Sequence, residues 1–241
     1  MKIKLYTFIL IIFSFYTMGQ SYADITGAQR FSSSRALDDF SNLKSNVSEN
    51  EKIDDIKGSM YFNTNFEEST VVFNGVPLSE KTFLRYNPYN DYIEIGKNTS
   101  QKTASSILTK SENIEAQIGS DFYKAFSLNP KDKSELSYLI RIFYDKNHTL
   151  YLRMRKKFID EKPAPSGIGG FLPARFEDKF KLFYSPSEKT VLTELKANKK
   201  SIAKLFPEDP SRIIKYISEN DIKLKNYKDV LLLFEKFGNK Q

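Results

Sequence analysis

Residues 136–158 carry two runs in which apolar and polar side chains alternate, separated by the polar break Lys146-Asn147-His148. Period-two alternation on both sides of a short turn is the pattern of an antiparallel β-hairpin with one buried face. A three-residue loop at Lys146-Asn147-His148 pairs Tyr144 with Leu150, Ile142 with Leu152 and Ile140 with Met154, which gives one wholly apolar face. A two-residue loop mixes the faces. Because a one-residue slip turns every side chain over, the hydrophobic set selects the three-residue loop, with a bulge-type turn at Asn147 or His148. The opposite face then holds Arg141, Phe143, Tyr151, Arg153, Arg155 and Lys157.

The same β texture extends to both sides of this hairpin. Val71-Val72-Phe73 runs into Asn74-Gly75, whose tolerance of positive φ is what a type I′ turn requires. A strand is expected over 81–86, a turn at Asn87-Pro88-Tyr89-Asn90-Asp91, and a return strand over 92–95; weaker strands follow at 106–109, 113–118 and 122–128. Residues 160–175 are rich in Pro and Gly and suit neither a helix nor a central strand, so they read as a long surface connection. Alternation resumes over 176–184, and 191–195 closes the β region.

Past residue 196 the period becomes helical. A short helix over 199–206 is stopped by Pro207, and Asp209-Pro210 caps a second helix with Ile213, Ile214 and Ile217 on one face. Asn226 caps a third, with Asp229 placed like the acid of a capping box and Val230, Leu233, Phe234 and Phe237 as its buried stripe. The expected fold is therefore α+β: a curved antiparallel β-meander of roughly seven to nine strands over 58–195, followed by three C-terminal helices over 196–241 packed on or beside it.

The N-terminus supplies an address. Lys2 and Lys4 precede an apolar run over 5–18, and Ser21-Tyr22-Ala23 places small residues where a signal peptidase reads. The run is shorter than the roughly 20 residues that span a bilayer, so a cleaved secretory signal over 1–23 is expected, with Asp24 as the mature start. Residues 24–57 read as a mobile polar leader with a short helix near 35–43. With no cysteine, the chain has neither disulfide nor thiol nucleophile, and its stability must come from packing 20 Phe and 14 Tyr. The formal charge of +7 includes the two signal lysines, which leaves a mildly basic mature chain drawn to lipid headgroups, acidic glycans or acidic proteins. Export argues against nucleic acid as partner.

Several stretches together resemble a family of secreted Bacteroidota proteins: Gly58-Ser-Met-Tyr-Phe-Asn, Leu84-Arg-Tyr-Asn-Pro-Tyr-Asn-Asp-Tyr-Ile-Glu, Leu150-Tyr-Leu-Arg followed by Lys156-Lys-Phe, Lys162-Pro-Ala, Pro173-Ala-Arg-Phe-Glu, and Asn198-Lys-Lys with Leu205-Phe-Pro. The resemblance covers residues 55–241. It implies a Gram-negative envelope and brings no catalytic residues, because the family has no assigned activity. The C-terminus reads as a capped helix, unlike the β-sandwich sorting domain this bacterial group uses for surface export. A location in the periplasm, or on a membrane face toward it, is expected.

Few residues carry a chemical signature. His148 is the single histidine and falls in the expected hairpin loop, where turn chemistry accounts for it and solvent surrounds it. The acid pairs Asp38-Asp39, Asp54-Asp55 and Glu67-Glu68 are adjacent, so their side chains point apart, unlike the facing carboxylates of glycoside hydrolysis. Residues 87–91 offer oxygens to Ca²⁺ but lack the acidic density of a calcium loop, and a turn is expected. Asn46, Asn98 and Asn147 head Asn-x-Ser/Thr triplets read as accidental. Arg141, Arg153, Arg155 and Lys157, with Tyr151 and Phe143 among them, form the one constellation of note: arginine forks bind carboxylate or phosphate, and aromatics stack on rings or stems. The plain alternative is a solvated sheet face whose cations pair with Glu94, Glu115 or Glu177. The expected function is non-enzymatic, with no cofactor: an envelope protein that binds a protein partner or an anionic lipid or glycan through this basic face, with peripheral membrane contact. The alternatives are a carboxylate-dependent hydrolase of envelope polymers and a lipid carrier with an apolar cavity.

Overall fold

The period-two runs pair into one open antiparallel sheet in the computed structural model, which describes residues 44–45, 56–129, 132–163, 170–186 and 192–238. Its strands are β1 (Lys44–Ser45), β2 (Glu67–Phe73), β3 (Val76–Pro77), β4 (Thr82–Asn87), β5 (Tyr92–Gly96), β6 (Ser106–Leu108), β7 (Ile114–Ile118), β8 (Asp121–Asn129), β9 (Asp132–Tyr144) and β10 (His148–Ile159). A separate ribbon of β11 (Lys162–Pro163) and β12 (Phe171–Leu172) lies within the Pro/Gly-rich connection, and β13 (Arg175–Pro186) and β14 (Thr193–Glu194) return to the main sheet. Helices α1 (Lys199–Ala203), α2 (Pro210–Glu219) and α3 (Tyr227–Phe237) follow. The α+β class, with an antiparallel β region followed by three helices, matches the expectation, but the main sheet has twelve strands among the described residues where seven to nine were expected. Three of them are the two-residue pieces β1, β3 and β14, and β2 lies between β4 and β7, which interrupts the expected meander. The expected signal 1–23 and the helix near 35–43 lie outside the described residues. Of the leader, Lys44–Ser45 is a strand paired with β6.

The strand order is β1-β6-β5-β4-β2-β7-β8-β9-β10-β13-β14, with β3 beside β2. Asn74 and Gly75, at φ 50° and 79°, make the β2–β3 turn. Four strand steps separate β4 from β9, about 19 Å on a flat sheet at the usual spacing. The amide of Tyr138 on β9 nevertheless donates to Asp91 in the β4–β5 turn at 3.3 Å. The sheet therefore coils until that turn meets β9.

One face of the coil holds the apolar set, among it Leu84, Ile93, Tyr123, Tyr138, Leu150 and Leu152, and the helices cover it with Ile202, Ile213, Val230 and Phe234. Ring contacts seal the junction: Phe143 lies 5.5 Å from Phe234, and Phe180 lies 5.5 Å from Tyr227. Each helix starts where a side chain accepts an orphan amide: Asn198 from Ser201, Asp209 from Arg212 and Asn226 from Lys228. Asp229 bonds the Asn226 side-chain amide and the Lys223 backbone.

The β9–β10 register differs from the expected one. The Asp145 carboxylate accepts from the amides of Asn147 and His148 at 2.7 and 2.6 Å, and the Asp145 amide donates to the His148 carbonyl. These bonds close a tight loop of two residues, Lys146 and Asn147. Tyr144 then faces Thr149 and Phe143 faces Leu150, after which the register shifts so that Arg141 faces Tyr151 and Ile140 faces Leu152. Ile142 is the extra, bulged residue. The bulge repairs the mixed faces that a two-residue loop alone would cause, because it returns Ile140 to the same side as Phe143. Phe143, expected on the basic face, is buried at 9% exposure, while Tyr144, expected in the core, is 59% exposed.

Candidate functional site

Strand alternation places Arg141, Tyr151, Arg153, Arg155 and Lys157 on the sheet face turned away from the helices. Phe143 is absent from it for the reason just given. The neighbouring strand β8 adds Phe122 and Phe126 to this face, and with Arg141 and Tyr151 they line a groove of about 290 Å³ that has Lys124, Glu115 and Tyr144 at its sides; Arg153, Arg155 and Lys157 do not line it. The Arg141 guanidinium lies 4.5 Å from the Phe122 ring centre and 5.5 Å from that of Tyr144. Phe126 meets Tyr151 edge to face at 5.1 Å. Burial raises the Tyr151 hydroxyl above its usual range, against the pull of Arg141. Among the described residues Arg141 has no ion-paired carboxylate; Glu115 pairs with Lys124 at 2.6 Å, Glu94 with Arg85, and Glu177 with Arg175 and Lys179.

Beyond the groove the face changes character. Register pairing of β10 with β9 ends at Leu152 and Ile140, and the β4–β5 turn fills the split that opens there. Asn87 shapes that turn by accepting from the amides of Tyr89 and Asn90, while the Pro88 carbonyl accepts from Lys156 on the freed edge of β10. Asp91, at φ 59° and only 3% exposed, sits in the split. Its carboxylate accepts from the Tyr86 hydroxyl at 2.9 Å, Lys110 at 2.8 Å, Arg155 at 3.0 Å and the Tyr138 amide at 3.3 Å. Arg153 and Arg155 both donate to the Ser137 hydroxyl, at 2.9 and 3.3 Å. The oxygens at 87 and 91 are thus taken by protein donors, and among the described residues no three His, Asp or Glu side chains gather as a metal site.

The motif over 84–94 also buries a charge pair that the sequence reading did not single out. Arg85 and Glu94 face each other across β4 and β5, and Nε and Nη2 of the arginine reach one carboxylate oxygen at 3.1 and 2.6 Å. The guanidinium lies between the Tyr61 and Phe66 rings, at 3.7 and 4.2 Å, and Asn87 donates to the second Glu94 oxygen. The opposite charges at facing positions of a four-to-five hairpin were the available signal.

His148, expected to be solvated, is 8% exposed. As the first residue of β10 it turns inward with Leu150, its Nδ1 lies 3.1 Å from the Tyr184 hydroxyl, and its ring stacks at 4.9 Å on Phe206. Burial lowers its pKa against the opposing pull of Asp145. Glu67 accepts from Asn63 while Glu68 pairs with Lys81, so this acid pair points apart; Asp38-Asp39 and Asp54-Asp55 lie outside the described residues, as does Asn46. Asn98 and Asn147 lie in turns. Comparison with protein-family models, with curated proteins and with solved structures finds no match to this chain.

Proposed function

We propose that this chain is an exported, non-enzymatic binding protein of the cell envelope that holds an anionic partner, a protein or an envelope lipid or glycan, in the groove over β8, β9 and β10. Arg141 carries this reading: its half-buried guanidinium rests on Phe122 and Tyr144 with no ion-paired carboxylate among the described residues. A partly desolvated arginine without counter-charge is stabilised by a carboxylate or phosphate, whose oxygens match its fork. Stacking on the rings holds the fork in place before binding, which reduces the entropy lost when a partner arrives. The groove's lining carboxylate, Glu115, is held by Lys124, which supports binding over hydrolysis by converging acids. Filling of the inner face by Tyr86, Tyr123 and Tyr138 supports it over lipid carriage in an enclosed cavity.

The envelope address rests on the signal-like residues 1–23 and on the resemblance to secreted Bacteroidota proteins, and it places the protein in the periplasm or on a membrane face toward it. The test compares wild type with Arg141→Gln for retention on phosphatidylglycerol vesicles and for recovery of partners from solubilised envelope. The variant is expected to keep its melting temperature and to lose about tenfold in affinity, equivalent to about 1.4 kcal/mol. A wild type that retains nothing, or a variant that retains everything, overturns the reading.

A further inference from the structure

We infer that Arg153, Arg155 and Ser137 form a seat for an oxyanion of the phosphate class, separate from the groove around Arg141. Positions 153 and 155 are two apart on β10, so their side chains leave the same face side by side. Both guanidiniums converge on one neutral acceptor, the buried Ser137 hydroxyl of β9. Two forks that meet at a single uncharged oxygen are arranged to grip a common anion. Three features show that the arrangement is incomplete. The Nε of Arg153 is buried and bonds nothing among the described residues. The Ser137 hydroxyl accepts from both arginines, and its own hydrogen has no acceptor among the described residues. Finally, Arg155 and Lys110 share one buried carboxylate, Asp91, and among the described residues no carboxylate forms an ion pair with Arg153.

The surplus of positive charge selects a doubly charged ligand. A tetrahedral phosphate dianion presents oxygens to Arg153 Nε, to an Arg155 nitrogen and to the Ser137 hydroxyl at once, and it relieves the repulsion between the two guanidiniums. Burial and the Arg155 charge already lower the pKa of Arg153, as expected of a site short of negative charge. Arg155 keeps 29% and Lys110 keeps 22% of side-chain exposure, so the cluster has a side turned to solvent. This inference rests on the reading of the face as a binding surface, but it is tested apart from Arg141.

The test titrates the full chain with inorganic phosphate by calorimetry at constant ionic strength and follows the melting temperature. Wild type is expected to give a saturable one-to-one isotherm and a rise in melting temperature that sodium chloride does not reproduce. Arg153→Gln is expected to weaken phosphate binding at least tenfold, while Arg141→Gln leaves it unchanged. Should Arg153→Gln fail to fold, Arg153→Lys keeps the charge, loses the fork and is expected to show the same loss. No saturable binding by wild type, or phosphate binding by the folded Arg153 variant equal to wild type, overturns the proposal. A second arm uses phosphatidylcholine vesicles containing phosphatidic acid. Retention that depends on Arg153 assigns the site to a phosphomonoester headgroup, and phosphate binding without vesicle retention assigns it to the free ion. Loss of partner binding in Arg141→Gln with phosphate binding intact separates the fate of the groove from that of this seat.

Discussion

Replacing Asp91 by alanine removes the acceptor on which Tyr86, Lys110, Tyr138 and Arg155 converge. The Tyr138 amide is buried, and leaving such a donor unpaired costs about 1–3 kcal/mol. Removing one member of a fully buried ion pair costs about 3–5 kcal/mol, but Lys110 and Arg155 keep 22% and 29% exposure, so water recovers much of it and about 1–2 kcal/mol remains. Alanine at φ 59° adds backbone strain of about 1–2 kcal/mol, which asparagine largely escapes. The expected cost is about 4 kcal/mol for Asp91→Ala and about half that for Asp91→Asn, large fractions of the usual total stability of about 5–15 kcal/mol. Urea denaturation reads this as a midpoint shift of about 2 M at unchanged slope for the alanine variant, given slopes of about 1–3 kcal/mol per M. An alanine cost below about 1 kcal/mol, or equal costs for alanine and asparagine, refutes the picture of Asp91 as the plug of the β9–β10 split.

The bulge at Ile142 predicts that Phe143→Ala costs about 3–5 kcal/mol and Tyr144→Ala under about 1 kcal/mol in the same assay; the three-residue loop predicts the reverse ranking. At Gly75, φ 79° with open space around the position means that Gly75→Ala costs about 1 kcal/mol from backbone strain alone, and no measurable cost would contradict the type I′ turn. Burial lowers the folded-state pKa of His148 below the ordinary value of about 6.5, so the unfolded chain takes up this proton first. Its contribution is therefore complete above about pH 6.5 and is lost as pH falls from there through the lower folded-state value. His148→Asn should flatten the pH dependence of the urea midpoint in that window, and an unchanged slope would place the imidazole in solvent.

Much of the fold was legible because the signals were local. The Asn74-Gly75 turn, the Asp209-Pro210 and Asn226 caps and the alternation along β8, β10 and β13 each depend on neighbours in sequence. The β9–β10 register was not, because alternation alone cannot see a bulge. Asp145 satisfies two loop amides with its side chain and makes the two-residue loop stable, and Ile142 then absorbs the phase error. His148 was misplaced for the same reason: one residue fewer in the loop makes it the first inward position of β10. Of the basic face, Arg141 and Tyr151 fall in the groove. That Arg155 is tied to Asp91 depends on the coiling of the sheet, which brings together residues 64 positions apart and leaves no periodic trace. The aromatic contribution of Phe122 and Phe126 also comes from tertiary pairing of β8 with β9.

Site-specific photocrosslinking in the native envelope tests the central claim most directly. A benzoylphenylalanine at position 144, at the open side of the groove, is compared with the same group at position 232, an exposed residue of α3. The groove reading predicts one dominant crosslinked species at 144 that is lost when Arg141→Gln is added, and none in common at 232. Equal crosslinking at both positions, or a species at 144 that survives Arg141→Gln, would contradict it.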